Sequence, residues 1–239
     1  MASRKEQKEQ LRREREEREA AASAAGRRKR LVGYAAGAAV VILALAVAGF
    51  FLLSGDDEGG GSNDTAADIL PDGGEVPDQQ ITDLDEAAGA ASCELENAKA
   101  DSRDHITDIG EMVTYPSDPP MSGRHFEVAA EDGAYEEAPD LKTLVHALEH
   151  GRVVISFKPN LPEQQRADLK ALFDDDPFQM VLVPNDSMPY QVAATAWNRD
   201  PEPLGTGQLL GCDTYGEKTP DAIRAFKDEH RGSGPEPVP

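Results

Sequence analysis

From Leu31 to Leu53 no charged residue occurs, and the run is long enough to cross a bilayer core, which takes about 20 helical residues. The pattern predicts a transmembrane helix over residues 31–53. Downstream, Leu141, Leu144, Val145 and Leu148 fall at i, i+3, i+4 and i+7, which is one stripe of an α-helix. Gly151 is the expected stop. Arg152 to Phe157 carries Val153, Val154 and Ile155 in sequence, a β-branched run that predicts a buried strand. A second helix is expected after Pro162, with Leu169, Leu172 and Phe173 as its buried side. Met180 to Val183 and Tyr190 to Trp197 predict two more strands, parted by the turn chemistry of Pro184-Asn185-Asp186. A last helix starts at Thr219-Pro220, turns Ile223 and Phe226 inward and ends at Gly232. Cys93 to Asp104 has helix-compatible residues, His105-Ile106 begins a strand, and Phe126 to Ala129 is a short extended segment. The succession is an α+β fold: a small mixed or antiparallel sheet of about three to five strands with about three helices, preceded by one transmembrane helix and a disordered linker.

Charge sharpens the division of the chain. Of the 24 basic residues, 11 lie in the first 30 positions, and none occurs from Ser54 to Ser92. Basic residues crowding the N-terminal flank of the apolar run place that flank in the cytoplasm and the C-terminal part outside. Residues 1–30 therefore read as a basic cytoplasmic segment and 54–92 as an acidic, flexible, self-repelling linker. Residues 93–236 are left as an extracytoplasmic domain. A net charge of −21 repels phosphate and argues against nucleic acid as a partner. Cys93 and Cys212 are the two cysteines, both on the exported side, where an oxidising compartment favours a disulfide between them.

Candidate chemistry gathers between Tyr115 and Gly151, which holds three of the five histidines. His146 and His150 lie one helical turn apart, away from the apolar stripe, with Glu149 beside them. Such a pair fits a solvated or hydrogen-bonded polar face, or a metal site. His146-x-x-Glu149-His150 also has the spacing of inverzincin metalloproteases, with Glu149 as the catalytic base in that alternative. Pro116, Pro119 and Pro120 stiffen the preceding loop, which ends in Ser122-Gly123-Arg124-His125. The loop is expected to cover the helix and to bring His125 to His146 and His150, with Glu149 orienting them and His105 nearby; a divalent metal such as zinc is the candidate cofactor. A Ser122–His125 nucleophile pair is the lesser reading, since the Gly-x-Ser-x-Gly elbow is absent. Ser122 and Trp197 are candidate cleft residues. His230, in the final turn of the last helix, reads as local structure, where a protonated imidazole would suit the helix dipole.

Tyr115-Pro116, Pro119-Pro120 with Ser122-Gly123 and His125, the His146 to Gly151 run with the strand after it, Ala196-Trp197 and Gly234-Pro235-Glu236 occur in one order. Together they resemble the bacterial domain of unknown function family 3105, over about residues 93–236. The resemblance implies a domain in a membrane-anchored setting, with His105, His125, His146, Glu149 and His150 matching the family's polar motif positions. It implies no reaction. The expectation is a single-pass membrane protein displaying a binding or envelope-accessory domain, its partner an envelope protein or small ligand; the alternative is a metal-dependent hydrolase.

Overall fold

The structure, a computed structural model, describes residues 69–236. The span predicted at residues 31–53 lies outside them, and among the described residues no helix is long and apolar enough to cross a membrane. The architecture is α+β. The chain runs α1 (Leu84–Ala91), β1 (Cys93–Lys99), β2 (His105–Ile106), β3 (His125–Phe126), β4 (Gly133–Ala134), α2 (Leu141–Glu149), β5 (Val153–Phe157), α3 (Glu163–Asp175), β6 (Met180–Pro184), β7 (Val192–Asn198), β8 (Thr206–Cys212) and α4 (Thr219–His230).

Six strands form one mixed sheet in the order β1-β8-β7-β5-β6-β4. The β5–β6 and β4–β6 pairs are parallel and the other three antiparallel. Because side chains alternate across a strand, β5 sends Val153, Ile155 and Phe157 to one face and Val154 to the other. The first face packs against α1, α3 and α4 through Leu169, Phe173, Ile223 and Phe226. The second packs against α2 through Leu144, Val145 and Leu148, together with Val181 and Trp197. The central strands are covered on both sides, which is why they read as continuous apolar runs rather than alternating ones.

Two parts of the expected layout change. Order begins well before residue 93: Leu70, Leu84, Ala87 and Ala88 are buried in the core. Asp83 caps α1 by accepting from the Glu86 N–H at 2.9 Å, and the small alanine face lies against Ala222, Ala225 and Phe226 of α4 in one cluster. Alanines carry little apolar signal, so a helix that packs by close approach reads as linker. Cys93 to Lys99 is a strand rather than helix-compatible chain, because pairing with β8 overrides its local preference. In that antiparallel register Cys93 faces Cys212, and the two form a disulfide. Their Cα separation of 4.3 Å is close to the roughly 4.5 Å of a non-hydrogen-bonded cross-strand pair.

Helix α2 starts where its pattern predicts, with Asp140 accepting from the Lys142 N–H at 2.9 Å. It stops one residue short of the second histidine: His150 is the C-cap, and Gly151 follows with φ +82°. No solvated polar side is left, since His146 and Glu149 are buried while Leu141, the first residue of the supposed core stripe, is exposed.

Candidate metal centre

The side of α2 turned from the sheet is covered by the two-stranded parallel pair β2–β3, in which His105 is the register partner of His125. The pair is set by the His125 N–H donating to Asp104 O and the Glu127 N–H to Ile106 O. Upstream of β3, Asp118 of the proline loop accepts from Asn185 Nδ2 at 2.8 Å and Ser187 Oγ at 2.6 Å, which ties the loop to the end of β6. His146 and Glu149, three residues apart on α2, point into the space beneath β2 and β3.

Four donor atoms converge there. His105, His125, His146 and Glu149 each offer one, all within 4.8 Å of one another. His125 Nε2 is 3.2 Å from His105 Nε2 and 3.0 Å from Glu149 Oε2. His105 Nε2 is 3.4 Å from His146 Nε2 and 3.7 Å from Glu149 Oε2. Four ligands at zinc's usual 2.0–2.1 Å in a tetrahedron stand about 3.3–3.4 Å apart, so these four spacings are near those of a coordination shell, while the group as a whole, at up to 4.8 Å, would draw together around an ion.

Hydrogen bonding outside the cluster fixes which atoms face inward. His125 Nδ1 lies 2.7 Å from Gly123 O, and His146 Nδ1 lies 2.7 Å from Phe126 O. A carbonyl only accepts, so each Nδ1 carries the proton, and in the neutral ring Nε2 presents a lone pair. Such anchoring of the remote ring nitrogen is usual for metal-binding histidines. Burial, then the neighbouring His125 and His150, lowers the His146 pKa to about 4, against the opposing effect of its bond to Phe126. His146 is therefore a neutral donor at ordinary pH. Burial alone would raise the Glu149 pKa; the hydrogen bonds and charge of His125, when its Nε2 carries a second proton, and of Arg103 outweigh it and bring it to about 2. Arg103 Nε holds Glu149 Oε1 at 2.6 Å, while Oε2 is buried without a hydrogen-bond partner. The carboxylate thus has one oxygen secured and one free for a cation.

A model of the family described as protein of unknown function (DUF3105) matches residues 105–238. The chain belongs to that family. All four donors fall within the stretch matched to DUF3105, and the match begins at the first of them. No curated protein and no solved structure matches the chain.

The site differs from the one expected. His125 and His146 meet, as the covering loop requires, but His150 is not among the four: its Nδ1 lies 2.9 Å from Glu236 O, and its ring stacks on His146 at 4.5 Å. Its place is taken by His105 and by Glu149 itself, so the inward helical pair is i, i+3 rather than i, i+4. Ser122 is not among the donors either, and His125 spends its ring nitrogens on Gly123 and the cluster rather than on a Ser122 hydroxyl. Trp197 is core, not a cleft wall. Its Nε1–H donates to Leu204 O at 2.8 Å, and its ring lies edge-on to His125 at 6.0 Å. Arg103 was not singled out from sequence, and its signal was slight: a lone cation two residues before His105 in an acidic stretch.

His230 is buried in α4 and accepts from Asn198 Nδ2 through Nδ1. Burial lowers its pKa to about 4, so it is a neutral structural residue and not the charged one its place in the last turn suggested.

Proposed function

We propose that this protein is a membrane-anchored, extracytoplasmic metal-binding module that holds one divalent first-row transition ion such as zinc on His105, His125, His146 and Glu149. One observation carries the reading. Three imidazole nitrogens and a buried carboxylate oxygen converge, while the Nδ1 protons of two of the rings are directed to carbonyls outside the cluster. A single proton could bridge one pair of these atoms, such as His125 and Glu149; a cation satisfies all four. Imidazole with one carboxylate suits zinc, copper or iron better than magnesium or calcium, which prefer all-oxygen shells. The membrane anchor and orientation are supported by the uncharged run 31–53 and its basic flank, and a disulfide in the domain agrees with an oxidising compartment.

The hydrolase alternative gains no support from the His-x-x-Glu-His spacing. That mechanism needs His146 and His150 on one metal and Glu149 on water. Here Glu149 Oε2 sits among the donors, and His150 lies outside the group that converges on them. The test is metal analysis and calorimetric titration of the purified full-length chain. One equivalent of zinc is expected, with binding lost in His146→Ala and Glu149→Gln. A chain that neither retains nor takes up a divalent ion would overturn the reading. Protease digestion of intact cells stripped of their wall checks the topology, which fails if the C-terminal domain stays protected until the membrane is lysed.

A further inference from the structure

The four donors are not held alike. His125 and Glu149 are fully buried, and His146 is 5% exposed. His125 and His146 are fixed through Nδ1 to Gly123 O and Phe126 O, and Glu149 through Arg103. Glu149 is gripped at its backbone as well, since its carbonyl accepts from the Glu236 N–H at 3.0 Å. His105 stands apart. Its side chain is 40% exposed, it sits on a two-residue strand, and among the described residues its hydrogen bonding and ion pairing run through Nε2 into the cluster alone. A ligand whose remote nitrogen is not anchored is oriented only by the metal and its own rotamer, and solvent reaches the site from its side.

We propose that His105 is the exchangeable ligand of this centre, and that its position accepts a small neutral nitrogen or oxygen donor from solution, water or an imidazole-bearing molecule. Structural zinc sites close all four positions with protein, whereas three protein ligands and one replaceable position mark a centre that meets an outside molecule. Here His125, His146 and Glu149 form the permanent three-donor base. His105 completes the shell at rest, and its swing toward solvent opens the fourth position without disturbing the packed side of α2. A net charge of −21 on the chain disfavours the approach of anions at long range, which makes a neutral donor the class proposed.

This inference rests on the metal reading above, and one experiment separates the two. The full-length chain, loaded with Co²⁺ in place of the resident ion, reports its coordination through its visible absorption. His105→Gly is expected to keep one equivalent of Co²⁺ with an altered spectrum, and added imidazole is expected to restore the wild-type spectrum. His125→Gly is expected to lose the ion, with no restoration by imidazole; thermal melts establish that both variants are folded. Loss of Co²⁺ from His105→Gly without rescue by imidazole would overturn the exchangeable position while leaving the metal site standing. A wild-type chain that takes up no Co²⁺ would overturn both.

Discussion

Glu149 Oε2 stands 3.0 Å from His125 Nε2 at the centre of a cluster in which the neighbouring Nδ1 proton of His125 is directed the other way, to Gly123 O. Two acceptors at that distance repel unless a cation or an added proton lies between them. The other Glu149 oxygen explains how the carboxylate tolerates the position, since Arg103 neutralises it there.

Arg103 is therefore a positioning residue, and its removal leaves Glu149 free to rotate and to take up a proton. Arg103→Ala is expected to weaken zinc binding by about 10–100-fold, the usual cost of losing a partner behind a metal ligand. It should also raise the Glu149 pKa, because one of the groups that lower it is gone. Calorimetric titration of zinc at several pH values checks both effects. Equal affinity in Arg103→Ala and wild type would show that Glu149 is held by other means.

Much of the scaffold was legible because its signals are local. The α2 stripe, the β5 run and the Thr219-Pro220 helix start each follow from a few neighbouring residues. The metal cluster was legible only in part, for a physical reason. His125 and His146 stood out as polar groups on facing segments, but His105 enters through a two-residue bridge to His125, and no periodicity announces a strand of that length. Exchanging His150 for Glu149 depended on a tertiary contact invisible in the sequence, the C-terminal segment that takes His150 Nδ1 at Glu236 O. Helix α1 was missed because alanine is weakly apolar and its burial comes from close approach to α4.

The Gly234-Pro235-Glu236 segment crosses the C-terminal end of α2, and its glycine is required by contact. A Cβ on residue 234 would lie 2.3 Å from both Glu149 O and Gly151 N, backbone atoms that cannot step aside. Gly234→Ala is expected to destabilise the domain by roughly 1–3 kcal/mol, in the range of overpacking, and to weaken metal binding by moving Glu149. Urea denaturation of the metal-free chain measures the first effect and zinc titration the second. Unchanged stability would mean that the segment lifts away at little cost.

The disulfide joins the edge strand β1 to β8 across 119 residues of sequence. Constraint of the unfolded chain by a loop this long is worth about 4–5 kcal/mol in the chain-entropy account. The effect should appear as a large drop in the urea midpoint of the Cys93→Ser, Cys212→Ser double variant relative to wild type. Because β1 precedes the metal-binding segments and supplies none of the four donors, the folded double variant should still bind zinc. Two free thiols in freshly isolated wild-type protein would remove the staple.

His230 gives the domain a pH dependence separate from the metal site. Burial lowers its folded-state pKa from 6.5 to about 4, whereas in the unfolded chain it titrates near 6.5. As pH falls below about 6.5 the unfolded chain takes up a proton that the folded one refuses, so stability declines until pH approaches 4 and then no longer changes on this account. The shift corresponds to about 3 kcal/mol. His230→Gln can keep an acceptor for Asn198 Nδ2 but does not titrate. Its unfolding free energy, measured in urea between pH 7 and pH 4 on metal-free protein, should fall less steeply than that of wild type. The remaining slope belongs to His146, whose pKa is lowered in the same direction, and, toward pH 4, to carboxylates held low in the folded chain, Glu149 and Asp176. Parallel curves for wild type and His230→Gln would show that His230 takes up its proton equally in the folded and unfolded chain.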